Sequence, residues 1–265
     1  MSDAPVALHC PEAGNGPSVL LIHGLGASHQ DWRDVAPRLA KSYQVFTPDL
    51  RGYGNSPRGP GPYRPDIMAQ DVLALMESQD IRQAHVVGHS MGGAVAVELA
   101  LCVPERVRSL TIANSVPAFR PTRLREWFEI GLRLATMSVL GPRRLGQIMG
   151  RRMFPKPEQA ELRRFIEARA AANQRWVYLS SLLALTQWSA VERLHELVMP
   201  VAILASGNDY FPVEDMRRYA ESVPDGHFYC FPDARHGVPL EAGAEMARCL
   251  QSFFEGSDQG GPRHV

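Results

Sequence analysis

The pentapeptide Gly88-His89-Ser90-Met91-Gly92 sets a serine between two glycines, each two residues away. A serine hydroxyl is a weak nucleophile. It becomes useful when it is exposed, has a base beside it and faces donors for a developing oxyanion. The G-x-S-x-G spacing supplies the exposure when it joins a strand to a helix. That turn is so tight that the flanking positions must lack bulk, and the serine Oγ is pushed into the cleft above. The helix that follows turns the N–H groups of its first turn toward an oxyanion. Gly93 adds room for helix and strand to approach. The chemistry suggested is acyl transfer through Ser90.

On such a turn the partners follow in the chain order Ser, then Asp or Glu, then His. Of the nine histidines, His23 opens the loop after the strand Ser18 to Ile22, and eight others compete for the role of base. His9, His29, His195 and His264 lie outside the loops at the strand ends. His85 falls inside a strand, and His227 begins one at the opposite edge. His89 is turned away by the elbow. His236 remains, in the loop Asp233 to Leu240 after the last strand. The acid is expected after the strand Val201 to Ala205, where Asp209 stands in the segment Ser206 to Pro212. Its work is to hold the histidine tautomer and stabilise imidazolium. Glu214 and Asp215 are rivals that fit better in the next helix. The loop after Val107 to Ala113 carries Asn114 and no carboxylate. The second oxyanion donor is expected in His23-Gly24-Leu25-Gly26, where the backbone N–H of Leu25 would pair with that of Met91.

The elements that must position these groups alternate. Short apolar runs at Ser18 to Ile22, Tyr43 to Thr47, Ala84 to Val87 and Val107 to Ala113 read as strands. Between them, Asp31 to Ala40, Asp66 to Ser78 and Met91 to Leu101 read as helices. The alternation resumes with a strand at Val201 to Ala205, a helix at Val213 to Glu221, a strand at His227 to Phe231 and a closing helix at Leu240 to Phe254. This pattern predicts βαβ units in an α/β fold with a mostly parallel, doubly wound sheet. Residues 1–114 and 195–255 would form that core, 115–194 an all-helical insertion, and 256–265 a disordered tail.

The insertion also differs in composition. From Ser115 to His195 it carries 13 Arg and one Lys against six Glu and no Asp, a net charge of +8. The 265-residue chain is neutral as a whole, so the remainder carries −8. Overall neutrality argues against a chain built to bind nucleic acid. The insertion's arginines suit solvated helix faces, an anionic substrate, or peripheral contact between the basic, apolar stretch Leu124 to Phe154 and acidic lipid. Its aromatic residues, Trp127, Trp176 and Trp188 foremost, with Phe128 and Tyr178, and Met137, Met149 and Met153 beside them, are candidates for a substrate pocket. The four cysteines show no paired spacing, and no metal or other cofactor is expected. The uncharged run Trp176 to Val191 has 16 residues and several polar ones, too short and polar for a transmembrane segment. With no secretory signal visible, a cytoplasmic setting is the default.

Taken together, the chain resembles the α/β-hydrolase superfamily over nearly its full length. The segment Asp49-Leu50-Arg51-Gly52-Tyr53-Gly54-Asn55-Ser56 is similar to the D-x-R-G-x-G-x-S loop of its small bacterial esterases, where that loop buttresses the active site. The resemblance implies a triad of Ser90, Asp209 and His236, with the insertion as a cap. It departs in one place: Ser206 stands where the family has glycine three residues before the acid. Dehalogenases and epoxide hydrolases of this fold carry aspartate at the elbow, which Ser90 excludes. The activity implied is cleavage of a small-molecule ester or lactone, with no cofactor. The alternatives are a biosynthetic acyl-thioesterase and a non-catalytic ligand-binding protein on the same fold.

Overall fold

The apolar runs become the inner strands of a seven-stranded sheet. The structure is a computed structural model and describes residues 4–258. The strands are β1 (Glu12–Ala13), β2 (Ser18–Ile22), β3 (Gln44–Phe46), β4 (Ala84–His89), β5 (Val107–Ala113), β6 (Val201–Ser206) and β7 (Gly226–Phe231), in the spatial order β1-β3-β2-β4-β5-β6-β7. β1 pairs antiparallel with β3, and every other pair is parallel. The main helices are α1 (Pro65–Ser78), α2 (Met91–Cys102), α3 (Leu124–Ala135), α4 (Gly141–Met153), α5 (Ala160–Ala171), α6 (Arg175–Leu185), α7 (Val213–Glu221) and α8 (Gly243–Asp258).

Helices cover both faces of the sheet, which is why its central strands read as continuous apolar runs and not as alternating ones. On one face Leu20, Val86, Ile112 and Ile203 pack with Met68 and Val72 of α1, Val95 and Leu99 of α2, and Met216 and Tyr219 of α7. On the other, Val19, Leu21, Val87 and Leu204 pack with Trp32, Leu39 and, from α8, Met246, Leu250 and Phe254. All residues of β4 are buried, so the strand that delivers the serine is held from both sides.

Several elements differ from the sequence expectation. The helix expected over Asp31 to Ala40 is a 3₁₀ turn at His29–Trp32 followed by a single turn at Ala36–Leu39. Pro37 lacks the N–H that a continuous helix would need there. The closing helix is split into Val238–Glu241 and α8, and α8 runs on through Asp258. Residues 256–258 of the tail expected from Gly256 are therefore helical, and residues 259–265 lie outside the described residues. β1 was not expected, because two exposed residues carry no apolar pattern.

Residues between β5 and β6 form α3 to α6 and their connections, without an added strand in the sheet. The segment leaves and returns at one place. Ala118 and Ser189 form an antiparallel bridge there, flanked by backbone hydrogen bonds from Phe119 N–H to Trp188 and from Ala190 N–H to Pro117. Among the described residues, no helix is long and apolar enough to cross a membrane.

Candidate active site

Ser90 follows β4 directly and has φ 54° and ψ −121°, a backbone state that an L-residue occupies only under constraint. The constraint is visible at its neighbours. A Cβ on Gly88 would lie 2.2 Å from the Gly92 carbonyl oxygen, and one on Gly92 would lie 2.3 Å from that of Ile22. No side chain fits at either position, so the spacing of the motif is a packing requirement.

The parallel register brings the C-terminal ends of the strands to one edge, the place where open α/β sheets bind ligands. Ile22 pairs with Gly88, and Ala113 pairs with both His89 and Leu204. Ser90, the loop after β6 and the loop after β7 therefore meet. His236 Nε2 lies 3.0 Å from Ser90 Oγ, and His236 Nδ1 lies 2.8 Å from Asp209 Oδ1. The Asp209 carboxylate is buried, and its Oδ1 also accepts the Tyr210 N–H at 2.5 Å. Glu214, by contrast, faces Arg217 and Arg218 on α7. The serine, histidine and aspartate named from the sequence are thus brought together in hydrogen-bonding order.

Further groups hold the histidine, and sequence reasoning missed them. His89 Nε2 donates to the His236 carbonyl at 2.7 Å. Asn114 Nδ2 donates to the same carbonyl at 3.3 Å, to that of Arg235 at 3.1 Å and to Ser206 Oγ at 2.9 Å. His89 is thus turned toward the base loop and not simply away from the site. Burial, and then the nearby His236, push its pKa down to about 4, so it is neutral near pH 7 and keeps the donating Nε2–H. Ser206, in the place where glycine is usual, receives the Asn114 amide.

The loop after β2 lies beside the serine. Gly24 is so close that a Cβ there would stand 3.1 Å from Ser90 Cβ. His23 pins the loop: Nδ1 donates to the Gly24 carbonyl at 2.8 Å, and Nε2 accepts the Leu50 N–H at 2.9 Å. Burial lowers the His23 pKa, which suits this neutral tautomer. Next along the chain, Arg51 forms a buried two-pronged ion pair with Asp71 at 2.5 and 2.6 Å. Asp49 accepts the N–H groups of His29 and Asn55. These bonds give the Asp49–Ser56 segment its buttressing contacts. Leu25 lines the cleft, and Met91 opens α2 immediately behind Ser90.

The cleft encloses about 670 Å³ of empty space, its open mouth included. Gly24, Leu25, Ser90 and His236 form its floor, with Tyr210 beside them. The insertion supplies Arg133, Met137, Leu145, Met149, Met153, Arg169 and Tyr178. The three tryptophans expected in the pocket are elsewhere. Trp127 and Trp176 are 56% and 65% exposed and do not line the cleft. Trp188 is buried, but at the foot of the insertion, where Nε1 donates to Glu98 of α2 at 2.7 Å. Aromatic bulk indicated a packed surface; it did not indicate which way each helix face would turn. Of the candidates, Met137 from the turn after α3, Met149 and Met153 of α4, and Tyr178 of α6 are the ones that line it.

A family model described as "Alpha/beta hydrolase family" matches residues 19–248. A protein of Azorhizobium caulinodans named "Putative carbamate hydrolase RutD" is 32% identical over 218 residues, 80% of this chain and 81% of its own. A pimeloyl-[acyl-carrier protein] methyl ester esterase of Aeromonas hydrophila is 41% identical over 107 residues, 40% of this chain and 41% of its own. Among solved structures, a thermophilic esterase from Thermogutta terrifontis superposes with a TM-score of 0.85 at 23% identity, covering 94% of this chain and 93% of that one. Sheet order, elbow geometry and a match across most of the sequence agree: the chain belongs to the alpha/beta hydrolase family.

Proposed function

We propose that this protein is a serine hydrolase that cleaves a carboxylic ester or lactone through an acyl-enzyme. The observation that carries the reading is the unbroken chain from Ser90 Oγ through His236 to the buried Asp209, at 3.0 and 2.8 Å. His236 Nε2 takes the Ser90 proton as Oγ attacks the carbonyl carbon. The oxyanion is received by the N–H groups of Leu25 and Met91. His236 then gives its proton to the leaving alkoxide, and the alcohol departs. Water attacks the acyl carbon with the same histidine as base, and the acid is released with Ser90 restored. Neutral His89 supports the imidazolium stage, because it fixes the base loop without placing a second cation there. The insertion acts as the cap that shapes the pocket.

A fluorophosphonate probe tests the reading. It is expected to label the wild-type chain and not Ser90→Ala, with Ser90→Ala losing about 10⁴-fold or more in kcat while its melting curve is retained. Labelling that persists in Ser90→Ala would place the nucleophile elsewhere. Absence of labelling in the folded wild type would favour a binding protein on this fold.

A further inference from the structure

The cleft holds one formal charge that no carboxylate among the described residues pairs. Of the 13 arginines between Ser115 and His195, only Arg133 and Arg169 line it. Arg169 is tied to both carboxylate oxygens of Asp31, itself a lining residue, so those two charges cancel. Others on the insertion are also paired: Arg143 with Glu167, Arg152 with Glu129 and Arg193 with Glu98. Arg133 is in ion-pair range of no carboxylate among the described residues.

Its placement is specific. Arg133 lies in the last turn of α3, and a π-helical turn, Thr136–Leu140, follows. Such turns interrupt a helix where a side chain must be re-aimed, often at a functional site. Here Arg133 and Met137 both reach the cleft. The guanidinium carbon stands 5.5 Å from the centre of the Tyr210 ring, and that ring lies 4.6 Å from the ring of His236. The arginine is therefore two ring contacts from the base, half-buried, with Tyr178 beside it.

A half-buried guanidinium whose neighbours are the Tyr178 hydroxyl and the Tyr210 ring has lost hydration without gaining a counter-charge. Its planar fork matches a carboxylate in two parallel hydrogen bonds. Apolar walls strengthen that attraction relative to water. The Asp209 carboxylate does not answer it: its one ion-pair partner among the described residues is His236, its Oδ1 accepts from His236 and Tyr210, and its Oδ2 is buried with no hydrogen-bond partner.

We propose that Arg133 binds a carboxylate carried by the substrate, so that the preferred substrates are esters or lactones bearing a second, free carboxylate. This rests on the serine-hydrolase reading.

The experiment has two arms. In the first, fluorophosphonate labelling of Ser90 is timed with linear dicarboxylates from succinate to suberate at constant ionic strength. Dicarboxylates are expected to slow labelling of the wild type, and to do so much less in Arg133→Gln. In the second, kcat/KM is compared for the monomethyl and dimethyl esters of the same acids. Arg133→Gln is expected to lower the ratio of half-ester to diester kcat/KM by about 10- to 100-fold, mainly through KM. Arg133→Lys, which keeps the charge and loses the fork, is expected to fall between. The proposal is overturned if labelling proceeds and no dicarboxylate slows it. It is equally overturned if Arg133→Gln affects half-ester and diester alike, which is the signature of a structural role. A folded wild type that is not labelled at all would instead fail the hydrolase reading. Should Arg133→Gln fail to fold, Arg133→Lys carries the same comparison in both arms, with weaker protection and a lower half-ester preference than the wild type as the expected result.

Discussion

His236 is oriented from two directions, by Asp209 at its ring and by His89 and Asn114 at its carbonyl. Asp209→Asn keeps the size of the acid but offers Nδ1 a donor or a weaker acceptor. It is expected to leave the fold intact and to cost about 10⁴-fold in kcat by analogy with other triads. A nearly silent Asp209→Asn together with an inactive Asp215→Asn would show the wrong carboxylate was chosen. His89 and His85 carry a second consequence. Burial is the leading cause that holds each near pKa 4, below the ordinary histidine value of 6.5. The unfolded chain then binds more protons than the folded one between those values, so stability is full above about pH 6.5 and falls as pH drops toward 4. Urea unfolding at pH 7 and pH 5 is expected to show the lower midpoint at pH 5; equal midpoints would contradict the buried neutral state. Ser90, Asp209 and His236 were legible because strand-end loops and chain order name them one at a time. The His89 to His236 bond was not, since it joins positions 147 residues apart that no local pattern relates.

Helices of the insertion teach a different lesson about what a sequence encodes. The 3.6-residue period of α3 defines an apolar stripe that includes Leu124, Trp127 and Phe128, and this stripe faces solvent, at 89%, 56% and 70% exposure. Periodicity identifies a face; it takes the neighbouring helices to decide which face is inward. The sheet had no such ambiguity, because strands buried on both sides have no outward face to choose. Trp127→Ala and Trp176→Ala are therefore expected to change kcat/KM less than about twofold, as exposed substitutions away from a site do. A large loss in either would return the tryptophan to the pocket. Trp188→Phe should behave differently. It leaves the mostly buried Glu98 with Arg193 and without its indole donor, at a cost of about 1 kcal/mol or more in unfolding free energy. That loss should appear in urea melts and not in substrate selectivity.

Across the whole molecule, charge is segregated although the sum is zero: +8 lies on the insertion and −8 on the rest. The composition alone predicted that asymmetry, and the structure adds that most of the insertion's arginines stand outside the cleft, several of them in ion pairs. Two effects on an anionic substrate should then be separable. Arg133 acts at contact and sets the level of kcat/KM. The eleven insertion arginines outside the cleft act at a distance, raising the encounter rate of anions at the mouth. Such attraction is screened over about 8 Å at physiological ionic strength. For a half-ester, kcat/KM is expected to fall as salt rises, while the neutral diester stays flat. In Arg133→Gln the half-ester should start from a lower level yet keep most of its salt dependence, because the distant field is intact. If half-ester and diester respond equally to salt in the wild type, the outer arginines are solvated helix faces that steer nothing. If the salt dependence disappears with Arg133 alone, the contact accounts for all of the anion's advantage and the segregated charge has no part in catalysis.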